Sequence, residues 1–168
     1  MVIIVEIKSH QTMRDKHEEP ENGDLLTIGA AADLIGVSVQ TLRYYEQEGL
    51  IIPFHRGSKH RRYSTNDIER IRCMRVMINQ EKVSIEGVKR LLSLIPCWNI
   101  KGCSLESRNS CDAFKMHSTP CWMVSNKSKE CKNAECRICP VYTEITDCHT
   151  LKRVVSDTTF VPGVNKNS

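Results

Sequence analysis

From residue 27 onward, apolar positions recur at helical spacing, interrupted by short capping and turn signals. Thr27 precedes Ile28-Gly29-Ala30-Ala31-Ala32-Asp33-Leu34-Ile35, a short capped helix; Gly36 turns the chain and Ser38 offers a second cap. The helix that follows, over residues 39–48, points Val39, Leu42 and Tyr45 inward and leaves Gln40, Arg43 and Tyr44 on a free face. Gly49 stops it. Leu50-Ile51-Ile52-Pro53 and Lys59-His60-Arg61-Arg62-Tyr63 then flank a Gly57-Ser58 turn, which predicts a two-stranded hairpin.

Ser64, with Asp67 at the third helical position, opens a helix over residues 65–79 carrying Ile68, Ile71, Met74 and Ile78. Ser84 caps another, with Ile85, Val88, Leu91, Leu92 and Ile95 as its apolar stripe, and Pro96 ends it. These two helices cover the back of the first pair and complete a core of roughly seventy residues, enough for an independent domain. Cys73, Met74 and Met77 read as core or boundary packing.

The run Thr41-Leu42-Arg43-Tyr44-Tyr45-Glu46, then Gly49-Leu50-Ile51-Ile52-Pro53, then Arg61-Arg62-Tyr63-Ser64 resembles the MerR family of bacterial winged-helix transcription regulators. The resemblance covers residues 25–95. It implies a helix-turn-helix whose second helix enters the major groove of double-stranded DNA, with Gln40, Thr41 and Arg43 specifying bases and Tyr44 reaching bases or phosphates. Arg61 and Arg62 of the wing grip the backbone, and Thr27, Ser38, Arg56, Lys59 and Tyr63 complete the expected DNA-binding set. By analogy with the family, the chain is a homodimer on a palindromic operator and a partner of RNA polymerase. Residues 80–94, with Glu86-Gly87-Val88, are also similar to the heat-shock repressor branch, which keeps simple repression open. No heptad run follows Pro96, so dimer contacts are expected from the cysteine-rich part or from the tail, where Ile145, Cys148, Leu151, Val154 and Val155 can form a short amphipathic helix.

The net charge of +4 on 168 residues is too small to argue for nucleic acid, but its placement does. Arg56, Lys59, Arg61 and Arg62, beside His55 and His60, contain no acid among them, a phosphate-facing cluster. The first eight residues are apolar yet shorter than a membrane span, with no basic leader or small-residue cleavage site, so no membrane partner is expected and a cytoplasmic location is. Residues 1–23 read as a mobile arm, with Met13 as an alternative start.

Eight of the nine cysteines lie between Cys97 and Cys148. Cytosolic thiols are kept reduced, which favours metal or redox chemistry over disulfide staples. The doublets Cys97-Trp98 and Cys121-Trp122, 24 residues apart, suggest a degenerate repeat and resemble a small bacterial module with two Cys-Trp pairs that ends in Cys-x-x-Cys and an aromatic, here Tyr142. Few aliphatic side chains lie between residues 102 and 132, so a metal would have to supply the folding energy. Cys131-x4-Cys136-x2-Cys139 matches a plant-ferredoxin spacing and points to an iron-sulfur cluster, its fourth ligand drawn from Cys97, Cys103, Cys111 or Cys121. Zinc on Cys136-x-x-Cys139 is the alternative, and thiol–disulfide switching or inert thiols remain. Trp98 and Trp122 read as packing, and His117 and His149 as spare ligands.

The prediction is a mainly α fold. A winged helix-turn-helix of four helices and a small hairpin wing occupies 24–95, a small cysteine-rich metal-stabilised domain 96–142, and a tail 143–168. The function expected is regulation of transcription, with the cysteine module sensing metal or redox state. An electron carrier or redox enzyme is the reading of a different class, opposed by the lack of a Gly-rich nucleotide loop or a Cys-His-acid arrangement. A scaffold holding a partner protein through a zinc module is the third. No enzyme activity is expected.

Overall fold

The computed structural model describes residues 25–55 and 60–156. The expectations for the arm at 1–23, for Arg56, the Gly57-Ser58 turn and Lys59, and for the end of the tail at 157–168 fall outside those residues.

Strand β1 (Leu26–Thr27) runs into α1 (Ile28–Ile35), which Thr27 caps by accepting the Ala30 amide at 3.2 Å. Gly36, at φ 71°, closes the helix: its amide bonds Asp33 O and the Val37 amide bonds Ala32 O, a left-handed C-cap that a Cβ would strain. Ser38 accepts the Thr41 amide at 3.0 Å and starts α2 (Val39–Gln47). Leu42 and Tyr45 are buried beneath it as the spacing predicts, with Val39 half-buried.

The wing departs from prediction. Residues 50–53 form no strand, because Leu50 and Ile51 turn directly from Gly49 into the core and the Ile52 amide donates to the Tyr142 hydroxyl. The strands are β2 (Phe54–His55) and β3 (Arg61–Tyr63), antiparallel with Phe54 opposite Arg62. On the other side of β3 lies β1, Leu26 opposite Tyr63, giving a three-stranded sheet in the order β1-β3-β2. A strand as short as β1 shows no alternation for a sequence pattern to reveal.

Ser64 and Asp67 form a reciprocal capping box at the start of α3 (Thr65–Arg75), which continues as a π-helical turn over Val76–Gln80. Ser84 caps α4 (Ile85–Ser93), whose Val88 and Leu92 are buried while Leu91 sits at the rim. Short helices follow: α5 (Cys97–Ile100), α6 (Leu105–Ser110), α7 (Asp112–Lys115), a 3-10 turn at Cys136–Ile138 and α8 (Pro140–Thr143). The last helix, α9 (Cys148–Ser156), packs on α3.

One core joins Leu42, Leu50, Ile68, Ile71 and Met74 of the N-terminal part with Val141, Ile145, Leu151 and Val154 of the C-terminal part. Each such aliphatic side chain contributes about 1.5–3 kcal/mol on burial. A second, smaller cluster gathers Cys111, Ala113 and Val124. Cys73 of α3 does more than pack: it forms a disulfide with Cys148 of α9, 75 residues away. No helix among the described residues is long and apolar enough to cross a membrane.

Candidate functional site

Two sites lie side by side. On α2, Gln40, Arg43 and Tyr44 are exposed, and Thr41 is half-buried with its hydroxyl 2.9 Å from that of Ser38. Thr27 and Ser38 are exposed but use their side-chain oxygens as helix caps. Arg62 and Arg61 stand half-buried on β3, and Arg61 Nε donates to Glu46 Oε2 at 2.5 Å. Tyr63 is a correction to the expected DNA-contacting set. It is fully buried, its hydroxyl donates to Glu46 Oε1, and burial followed by that acceptor raises its pKa. Glu46 thus ties the end of α2 to the wing strand, a role the sequence reading missed; its place in the Tyr-Tyr-Glu run was the available signal.

The second site is a cavity of ≈ 40 Å³ between α5, α7, α8 and the turns linking them. All seven free cysteines, Cys97, Cys103, Cys111, Cys121, Cys131, Cys136 and Cys139, line it. Local structure places them. Cys97 starts α5 just after Pro96, Cys111 is the N-cap of α7, Cys136 opens the 3-10 turn and Cys139 is the N-cap of α8. Trp98 packs edge-on against Phe114 at 5.1 Å and Trp122 edge-on against Tyr142 at 5.4 Å, so the tryptophans wall the space.

The thiols are not equivalent. A hydrogen bond shared between the Cys97 and Cys121 thiols holds the Cys97 pKa down against the opposing effect of burial and, with burial, pushes that of Cys121 up. Burial raises Cys103, Cys131 and Cys139. Lys127 Nζ donates to Cys136 Sγ at 3.1 Å. His117 and His149 are exposed and do not line the cavity. Among the described residues, no group of three or more His, Cys, Asp or Glu is arranged to hold a metal ion. The thiols surround a space rather than converge on a point.

The cavity wall is joined to the wing. Trp122 Nε1 donates to Gly49 O at 2.7 Å, and the Tyr142 hydroxyl accepts the Ile52 amide at 2.8 Å. Arg137 Nη2 donates to Asp67 Oδ2 at 2.5 Å and to Ser64 Oγ at 3.2 Å, while its guanidinium stacks 3.8 Å above the Phe54 ring. Arg70 lies 4.0 Å over the Tyr142 ring and donates to the Tyr142 carbonyl. Asp67 is buried, and burial pushes its carboxyl up while Arg137 holds it back. Nothing in the sequence pattern foretold these pairings, since each spans about seventy residues or more.

Residues 26–95 match the family described as MerR HTH family regulatory protein. The chain is similar to heat shock protein HspR of Streptomyces coelicolor, 36% identical over 81 residues, or 48% of this chain and 54% of that one. It is also similar to the HTH-type transcriptional regulator HmrR of Sinorhizobium medicae, 41% identical over 70 residues, or 41% of this chain and 47% of that one. Heavy metal-dependent transcription regulator 1 of Rhizobium meliloti is 29% identical over 150 residues, 80% of this chain and 97% of its own length. The chain spans about half the length of the first curated relatives it matches. No solved structure matches it. The two capped helices, the wing and the covering helices fall within the residues 26–95 that match the MerR family's helix-turn-helix description.

Proposed function

We propose that this chain is a transcription regulator that binds double-stranded DNA sequence-specifically, and that its thiol cavity holds a metal–thiolate centre. The observation that carries the DNA reading is the exposed face of Gln40, Arg43 and Tyr44 beside the arginines of β3. A glutamine and an arginine at a helix surface match the hydrogen-bonding edges of adenine and guanine in the major groove, and wing arginines match phosphates. Regulators are named among the relatives, which supports the same reading. A homodimer on a palindromic operator, acting with RNA polymerase, is the form this takes by analogy with the family.

For the metal centre, the support is the gathering of all seven free thiols on one cavity with a lysine donating to one of them. Thiolates are soft ligands suited to zinc or iron-sulfur clusters. Ligands that ring a volume suit a multi-iron cluster better than a single tetrahedral ion, so the iron-sulfur reading stands first. In that role Lys127 would offset the negative charge of the thiolates, and Trp98 and Trp122 would keep water from the site. The similarity to a protein named as heavy metal-dependent extends beyond residues 26–95 and supports metal dependence here. The Cys136-x-x-Cys139 spacing favours a second reading, a simple repressor with a structural zinc module.

Arg43 is exposed, so Arg43→Ala tests the DNA reading without disturbing the core. Binding to a duplex selected by the wild-type chain should weaken roughly tenfold or more, since one bidentate base contact is worth about 1–3 kcal/mol. Unchanged affinity would refute the interface. Iron, sulfide and zinc assayed on protein purified without oxygen should show matching iron and sulfide; zinc alone transfers the conclusion to the second reading.

A further inference from the structure

We propose that Trp122, Arg137 and Tyr142 are positioning residues for the DNA-binding wing, through which the loading of the thiol cavity sets DNA affinity; this rests on the DNA and metal readings above. Each is tied to a cavity cysteine in the chain. Trp122 follows Cys121, Arg137 lies between Cys136 and Cys139, and the Tyr142 amide bonds the Cys139 carbonyl at 2.8 Å. Any shift of those cysteines is therefore carried to the three side chains over one to three residues.

At their far ends the three side chains meet the wing at its entry and its exit. Residues 48–53 join α2 to β2, and within or just after them Trp122 holds the Gly49 carbonyl, Tyr142 the Ile52 amide and Arg137 the Phe54 ring. Where the chain leaves β3, Arg137 bonds Ser64 and Asp67, and the Tyr142 hydroxyl donates to Asp67 Oδ1 at 3.4 Å. The strands of the wing are only two and three residues long. So few ladder bonds do not by themselves set the angle of the wing to α2; Glu46 ties β3 to α2 directly, and the attachments from the cysteine module add a second hold at the wing's entry and exit. Arg137 and Asp67 are 7% and 1% exposed, so this ion pair is shielded from solvent and cannot slide freely to a new partner.

Gly49 shows how close the approach is. It sits at φ 69°, and a Cβ there would meet Met123 Sδ at 1.8 Å, so the residue after Trp122 also presses on the helix end. Thiols drawn to a metal and thiols left protonated need different separations, and the packed contacts convert that difference into two wing positions.

The test uses the full chain, the duplex selected by the wild type, and the variants Trp122→Phe, which keeps an aromatic ring but loses the pyrrole ring with its N–H, and Tyr142→Phe, which loses only the hydroxyl. Tyr142→Phe should speed exchange of the Ile52 amide about tenfold or more, because its acceptor is gone. Both variants should bind the duplex about fivefold or more weakly when compared per metal-loaded chain, with unchanged helical circular dichroism. Stripping the metal from the wild type with a chelator should reproduce both effects, and should add little in the doubly substituted chain. Wild-type DNA affinity in both variants would overturn the proposal, as would an equal chelator effect in the wild type and the double variant, or a chain isolated without metal. Ile52 exchange is read without DNA and Arg43→Ala without touching the module, so loss of the DNA reading is seen separately from loss of this one.

Discussion

Glu46 decides the geometry of the proposed DNA-binding surface at the scale of single residues. Its side chain is 9% exposed, yet it accepts both Arg61 Nε and the Tyr63 hydroxyl, so one carboxylate orients a wing arginine and satisfies a buried phenol. Removing it leaves the Tyr63 hydroxyl buried without that acceptor, which costs about 1–3 kcal/mol. Glu46→Ala should lower the free energy of unfolding in urea by that amount and also weaken duplex binding, because Arg61 loses its orientation. A stability change under about 0.5 kcal/mol would show that water replaces the carboxylate at no cost, contrary to the burial of Tyr63. The residues that face outward, Gln40, Arg43 and Tyr44, carry no such structural load.

At the scale of elements, the helices are short and depend on their ends. Thr27, Ser38, Ser64, Ser84 and Ser104 each accept an amide at a helix start, an exchange that typically contributes about 1 kcal/mol per cap. Asp147 does the same for α9: the Thr150 amide donates to its Oδ1 at 2.7 Å, and chiefly for that reason its carboxyl lies below its ordinary range. A carboxyl group with a lower pKa in the folded chain than in the unfolded one stabilises the fold above about pH 4, the unfolded value, and that contribution is lost as pH falls through the folded value. Exchange protection at Thr150 and Leu151, corrected for intrinsic rates, should therefore fall on acidification below about pH 4. Asp147→Asn should flatten that dependence. Protection that declines identically in the variant would assign the acid sensitivity to another group.

At the scale of the whole molecule, the C-terminal part completes the core of the N-terminal part instead of standing apart from it. Val141, Ile145, Leu151 and Val154 share one core with Leu42, Ile68 and Met74, and the Cys73–Cys148 disulfide joins α3 to α9 across 75 residues. Closing a loop of that length restricts the unfolded chain and stabilises the fold by about 2–4 kcal/mol. Cys148→Ser should therefore lower the melting temperature, and a thiol reductant should lower that of the wild type while leaving the variant unchanged. Coincident melting of oxidised wild type and variant would mean that the crosslink contributes nothing to stability.

The sequence by itself determined the local frame. Capping residues followed by apolar side chains at three- and four-residue spacing place the starts of α1, α2, α3 and α4, because a cap and a helical stripe involve neighbours along the chain. The exposed face of α2 was legible for the same reason. The clustering of cysteines from Cys97 onward also marked out the thiols that line the second cavity. Only the tertiary structure decided that β1 joins the wing, that Tyr63 faces inward to Glu46, that Cys73 pairs with Cys148, and that Trp122, Arg137 and Tyr142 reach the wing from the cysteine module. Those contacts join residues from 17 to 90 positions apart, and no periodicity along a chain records which distant side chains packing will bring together.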